Sequence, residues 1–123
     1  MEGYLADTHF ILWSWHEPKD LPARYAAILA SDAPVYASIV SIWEISIKVG
    51  IGKLRTVDNV TEKLSQTGFI ILPIEPHHAE SVRHLPHHHR DPFDRMLIAQ
   101  AMSENLQIMT ADRNFPLYDI TVA

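Results

Sequence analysis

The chain has no cysteine among its 123 residues, which excludes disulfides and thiolate metal sites. No apolar run approaches the length needed to cross a bilayer. The N-terminus carries an acid at Glu2 and passes straight into a strand pattern, so it does not read as a signal peptide, and a cytoplasmic setting is expected. A basic surplus is also missing: ten Lys and Arg stand against fifteen Asp and Glu, for a formal net charge of −5. Passive, tight binding to a duplex calls for the opposite balance. An enzyme whose acids are neutralised by metal escapes that argument, provided local basic residues hold the phosphates. There is no internal repeat, low-complexity tract or linker. With 47% hydrophobic residues, the chain is expected to fold as one domain over residues 1–123.

Short apolar runs alternate with helical patterns. Tyr4-Leu5-Ala6, Val35-Tyr36-Ala37, Phe69–Leu72 and Gln107–Thr110 read as strands, and Ile120-Thr121-Val122 as a fifth. Helices are predicted from about Thr8 through Trp13, over Pro22–Ala30, Ile39–Val49, Val60–Gln66 and Ala79–Leu85, and from Asp91 onward. Asp91 is the cap of that last helix, with Pro92 at its first position. This alternation predicts an α/β fold, a parallel sheet covered on both faces by helices joined through right-handed crossovers.

Four acids fall where strands end or helices begin: Asp7, Glu44, Asp94 and Asp112. Each has a plain structural explanation. Asp7 can cap the helix starting at Thr8. Ser41 and Glu44 have capping-box spacing, and Glu44 and Lys48 the spacing of a surface ion pair. Asp94 suits the first turn of a helix, and Asp112 a turn before Arg113-Asn114. Their conjunction says more. In an open α/β sheet the carboxyl ends of the strands share one edge, where sites form. Carboxylates gathered there repel unless a divalent cation sits among them, and such a hard-oxygen site suits Mg²⁺ or Mn²⁺ and phosphate chemistry.

The segments Leu5-Ala6-Asp7-Thr8-His9-Phe10-Ile11-Leu12-Trp13, Ser38-Ile39-Val40-Ser41-Ile42-Trp43-Glu44-Ile45, His89-Arg90-Asp91-Pro92-Phe93-Asp94-Arg95-Met96-Leu97-Ile98-Ala99-Gln100-Ala101 and Thr110-Ala111-Asp112-Arg113-Asn114-Phe115 resemble PIN-domain ribonucleases. The nearest likeness is to the VapC-type toxins of type II toxin–antitoxin pairs. It spans almost the whole chain, and its most specific part is Arg90-Asp91-Pro92-Phe93-Asp94-Arg95. The resemblance implies a three-layer α/β/α fold around a parallel sheet of four or five strands in the order 3-2-1-4-5. It assigns Asp7, Glu44, Asp94 and Asp112 to the acidic metal site, with Thr8 and Thr110 as polar companions. It further implies a metal-dependent endoribonuclease leaving a 5′-phosphate and a 3′-hydroxyl, a small antitoxin protein as partner, and a homodimer. The tail after Phe115 departs from the pattern.

Because Mg²⁺ keeps several waters, four acids need not all bind it; Asp7 and Asp94 are expected as direct ligands, with Glu44 and Asp112 direct or through water. Lys48, Arg95 and Arg113 are candidate phosphate contacts, with Lys53, Arg55 and Arg90 as further cations. Among the eight histidines, His84 and His88 have an i,i+4 spacing, but Pro86 between them breaks the helix that zinc ligation would need. The stretch from His84 to His89 therefore reads as a polar loop beside the cleft, and His9 and His16 as packing or surface residues. Trp13 and Trp43 are expected in the core, and Trp15 exposed near its helix end. Apolar side chains on the early helices are expected to offer a groove for the antitoxin's helix.

Two rival readings make different demands. A phosphoacceptor receiver domain needs adjacent acids after its first strand and an aspartate closing its third. Here Asp7 is followed by Thr8, and Leu72-Pro73-Ile74 holds no acid. A non-catalytic PIN-fold module that binds RNA or protein would not need the intact acid set.

Overall fold

A computed structural model describes residues 2–123. Strands β1 (Tyr4–Ala6), β2 (Val35–Ser38), β3 (Ile70–Leu72) and β4 (Gln107–Met109) form one parallel sheet in the order β3-β2-β1-β4. Six α-helices surround it: α1 (Thr8–His16), α2 (Ala23–Ala30), α3 (Ile39–Gly50), α4 (Val60–Gln66), α5 (Pro76–Ser81) and α6 (Pro92–Glu104). This is the α/β/α arrangement expected, with four strands. The segment expected as a fifth strand makes only a single parallel bridge, Val122 to Ile108. It therefore adds to the edge beyond β4 without becoming a strand.

The alternation along the strands sorts side chains onto two faces. Leu5 and Ile108 point to one core with Leu72, Leu97, Ile98 and Phe115. Ala6 and Met109 point to the other with Phe10, Ile11, Tyr25, Val35 and Leu64. Each face is thus closed by helices, as a parallel sheet requires. Gly3 allows β1 to start where it does. Its φ is +127° and a Cβ there would lie 2.5 Å from the Pro34 carbonyl oxygen.

Four local predictions are corrected. The fifth helix begins at Pro76 and gives way after Ser81 to a 3-10 turn at Val82–His84, rather than spanning Ala79–Leu85. Its start is a capping box in which His78 Nδ1 accepts the Glu75 N–H, a role usually filled by Glu or Gln. The N-cap of α3 is Ser38, whose Oγ accepts from Val40 N, so Ser41 and Glu44 are not a capping box. Trp43 is not core: it is 58% exposed, with its ring edge-on to Phe93. Trp15, expected exposed, is half-buried and donates its Nε1–H to Thr67 Oγ1.

Candidate metal site at the carboxyl edge of the sheet

Connections leave β1 toward β2 on one side, and the chain returns to β4 on the other, so the crevice outside β1 and β4 is the switch point of this sheet. Asp7 follows β1 directly and its backbone N–H donates to Met109 O at 3.1 Å, which pins the two strand ends together. Asp112 lies three residues beyond β4. Helix α6 runs back across the sheet, so its first turn, with Asp94, starts at the same edge. Asp94, 4% exposed, lies in the field of Asp91, Glu44 and Asp7, and Asp7 in that of Asp112, so the four expected acids converge.

Each carboxylate is held differently. Asp7 Oδ1 accepts the Phe10 N–H at 2.7 Å, capping α1, while Oδ2 accepts the Thr110 hydroxyl in a short hydrogen bond. Asp7 therefore caps α1 and is at the same time tied to Thr110 at the sheet edge. Thr110 Oγ1 also accepts the Asp112 N–H at 3.0 Å, so one hydroxyl positions two acids. Asp112 Oδ1 accepts from Asn114 N at 2.8 Å. Thr8 Oγ1 meets Ser41 Oγ at 2.8 Å, joining α1 to α3 one turn before Glu44. Glu44 is 1% exposed; its Oε2 pairs with Lys48 Nζ at 2.7 Å, and its Oε1 is buried with no hydrogen-bond partner.

Burial and the neighbouring acids drive the proton affinities up. Asp94 is raised to about 7, first by desolvation and then by Asp91, with His89 opposing. Asp7 is also raised, mainly by burial, although Thr110, the Phe10 N–H and His9 counteract it. Asp112 runs the other way: burial pushes it up, but the Asn114 N–H and His89 bring it below its ordinary value. Lys48 is raised by its bond to Glu44.

The residue that connects these acids is His89. Its Nε2 lies 2.9 Å from Asp112 Oδ2 and 3.1 Å from Asp94 Oδ2. The His84–His89 stretch was expected to be a polar loop beside the cleft; one member, His89, enters it, and no potential ligand group among the described residues contains His84 or His88. Nothing in its spacing distinguished His89 from its neighbours. The only signal was its place two residues before the cap of α6.

Other candidates fall outside the cluster. Arg95 is buried, and its guanidinium donates to the carbonyls of Pro86 (2.9 Å) and Val82 (3.1 Å), with longer contacts to those of Leu85 and His89 and to the Tyr118 hydroxyl. Those contacts employ it in holding the loop before α6, which removes it as a phosphate contact. Arg113 is exposed next to Asp112. Lys53, Arg55 and Arg90 are exposed. Beside the acids opens a cleft of about 440 Å³ lined by Asp7, His9, Phe10, Trp13, Ala111 and Asp112. Trp13 is therefore only half-buried and faces this cleft, whereas it was expected wholly in the core.

Does this set suit a divalent cation? A carboxylate oxygen of Asp94 and one of Asp112 lie within 4.8 Å of each other. Desolvated carboxylates of like charge and the orphaned Glu44 Oε1 are each relieved by a cation or its water. The residues fit.

The PIN domain family model matches residues 4–120. The chain belongs to the PIN domain family. Among curated protein sequences, no relative of it was found. Among solved structures it is similar to VapBC2 from Rickettsia felis bound to a DNA fragment from its promoter, with a TM-score of 0.75 and 15% identity over 100% of this chain and 98% of that one. It is also similar to DNA-bound VapBC from Salmonella typhimurium (TM-score 0.66, 18% identity, 100% and 98% covered). A third is FitAcB from Neisseria gonorrhoeae (TM-score 0.66, 24% identity, 97% and 95% covered). At these identities the structural likeness establishes the shared fold.

Proposed function

We propose that the protein is a metal-dependent endoribonuclease, the VapC-type toxin of a toxin–antitoxin pair. What supports this reading is that Asp94 and Asp112 both reach His89 at the switch point of the sheet, with Asp7 tied to Asp112 through Thr110 and Glu44 in the field of Asp94. Asp94, Asp112 and Asp7 are the residues to hold Mg²⁺ or Mn²⁺, with Glu44 acting directly or through water. Bound there, such a cation supplies Lewis acidity to the scissile phosphate and to water. Thr110 keeps Asp7 and Asp112 in place. Thr8, through Ser41, ties α1 to the helix that bears Glu44. Lys48 and Arg113 are our candidates to meet the phosphates, and the cleft walled by Phe10, Trp13 and His9 is our candidate seat for the adjoining nucleotide. The products are a 5′-phosphate and a 3′-hydroxyl. The partners are an RNA substrate, a small antitoxin that inserts a basic side chain into the acidic pocket, and a second copy of the chain, all in the cytoplasm.

The test is cleavage of RNA by the purified protein in Mg²⁺ or Mn²⁺, against EDTA and Asp94→Asn. Cleavage lost in both controls is the expected result, and RNA retained without turnover would instead mark a binding module. Expression of the chain alone should arrest growth, and Asp7→Asn or Asp94→Asn should relieve it. Harmless expression of folded wild type would remove the toxin assignment.

A further inference from the structure

His89 joins two acids carried by different elements. Asp94 sits on α6 and Asp112 beyond β4, and both turn an Oδ2 toward the same imidazole nitrogen, at 3.1 and 2.9 Å. The ring's other nitrogen, Nδ1, accepts the Asp91 N–H at 3.3 Å, so the ring proton belongs on Nε2, where it is donated to Asp112. A histidine that ligates a metal through Nε2 ordinarily donates from Nδ1 instead. Here the tautomer set by the backbone is the one that offers an N–H to the acids. The ring is also braced: Phe115 meets it edge-on at 5.9 Å, its backbone N–H donates to the Tyr118 hydroxyl at 2.8 Å, and Arg95 reaches its carbonyl. Meanwhile Glu44 Oε1, in the same field of charge, has no donor at all. The Nε2–H is thus given to Asp112 at 2.9 Å, while Asp94 Oδ2 lies against the same nitrogen at 3.1 Å and Glu44 Oε1 is left to be met by something else.

A divalent cation held by Asp94 and Asp112 would need the carboxylate oxygens that now face His89 Nε2, and a cation and an N–H repel each other at such a place.

Resting on the nuclease reading above, we infer that His89 is a positioning residue that stands in for the cation. In the metal-free protein its ring, hydrogen-bonded to Asp112 and in contact with Asp94, keeps the two acids together, and a divalent ion held by those acids would have to displace the ring. His89 and the metal then stabilise the fold by the same contacts, so their effects are not additive.

The experiment is thermal unfolding of wild type, His89→Ala and His89→Gln, each in EDTA and in saturating Mg²⁺, with Mg²⁺ affinity measured by calorimetry. In EDTA, His89→Ala should unfold roughly 3–6 °C below wild type, the shift for one ordinary hydrogen bond in a domain of this size. His89→Gln, which keeps a donor at the reach of Nε2, should recover much of the gap. In Mg²⁺ the gap should close, and His89→Ala should bind Mg²⁺ about five- to tenfold more tightly than wild type, because nothing has to be displaced. A gap that widens in Mg²⁺, with weaker binding by His89→Ala, would make His89 a ligand and overturn the inference. An unchanged gap would overturn it too, since a purely structural histidine is indifferent to the ion. Should His89→Ala not fold, wild type and His89→Gln still decide. On displacement, the wild-type imidazole resonances of His89 move on adding Mg²⁺ and His89→Gln binds the ion at least as tightly. Static resonances or weaker binding sink the idea. Absence of Mg²⁺ or Mn²⁺ binding to wild type would remove both this inference and the nuclease reading, whereas binding with an unchanged gap removes this one alone.

Discussion

In the first turn of α6, Asp94 keeps its proton up to a pH of about 7 because it is buried among other acids. An unfolded aspartate releases its proton near 3.9. Between these values the folded protein binds more protons than the unfolded chain, so the contribution of Asp94 to metal-free stability falls as pH rises from about 4 to about 7. Asp7 has the same sign. Urea unfolding in EDTA at pH 5 and at pH 7.5 should show this loss in wild type and a smaller one in Asp94→Asn. Equal slopes in the two proteins would contradict it. Metal must displace the same proton, so Mg²⁺ affinity should drop as pH falls below 7, approaching about tenfold per unit for a single proton. Glu44 poses a second residue-scale question. Among the described residues Lys48 is the only hydrogen-bond donor to Glu44, so Lys48→Met should destabilise the metal-free protein by about 1–3 kcal/mol, read from urea unfolding. The expectation of a Glu44–Lys48 ion pair at i,i+4 therefore describes a real contact, but its acid is buried rather than on the surface.

Among the elements, α6 matters most to the site, because its start sets where Asp94 lies. Asp91 caps it by accepting the N–H groups of Phe93 at 2.8 Å and Asp94 at 3.2 Å. Asp91→Ala should cost about 0.5–2 kcal/mol, and Asp91→Ser should restore most of that. Either change also removes a charge that raises Asp94, so Asp91→Ser should bind Mg²⁺ better than wild type at pH 6 by calorimetry. The aspartate–proline start of this helix was legible because both residues act within their own turn. The start of α5 was not, because it depends on His78 in place of a carboxylate, in a ring buried against Glu104. The fifth strand failed for another reason. An apolar triplet at an edge has the composition of a strand, but here it reaches a single bridge, and the next carbonyl, Ala123 O, is taken by the Tyr25 hydroxyl at 2.9 Å.

At the scale of the molecule, the unexplained surface is on α3. Ile39, Trp43 and Ile47 are exposed at four-residue spacing, and Ile51 continues the line just past the helix. The early helices were expected to carry the apolar face; among the described residues, the large exposed apolar side chains lie here instead, with others at Val49, Ile70, Met102 and Leu117. A self-complementary stripe of this kind suits a twofold homodimer. Sedimentation of Ile47→Glu with Ile51→Glu should show a folded monomer where wild type sediments as a dimer. A wild type that sediments as a monomer would leave the stripe to another partner.

The sequence alone determined the kind of elements, their order, and the four acids, because strand and helix periodicity, helix caps and the Arg90–Arg95 block are properties of adjacent residues. Only the tertiary structure decided which groups those acids meet. Arg95 was drawn inward by the carbonyls of the loop before α6, Trp43 outward, and His89 into the gap between Asp94 and Asp112. The reason is physical: a side chain's partner is chosen by packing between segments far apart in the chain, and no local spacing encodes that distance.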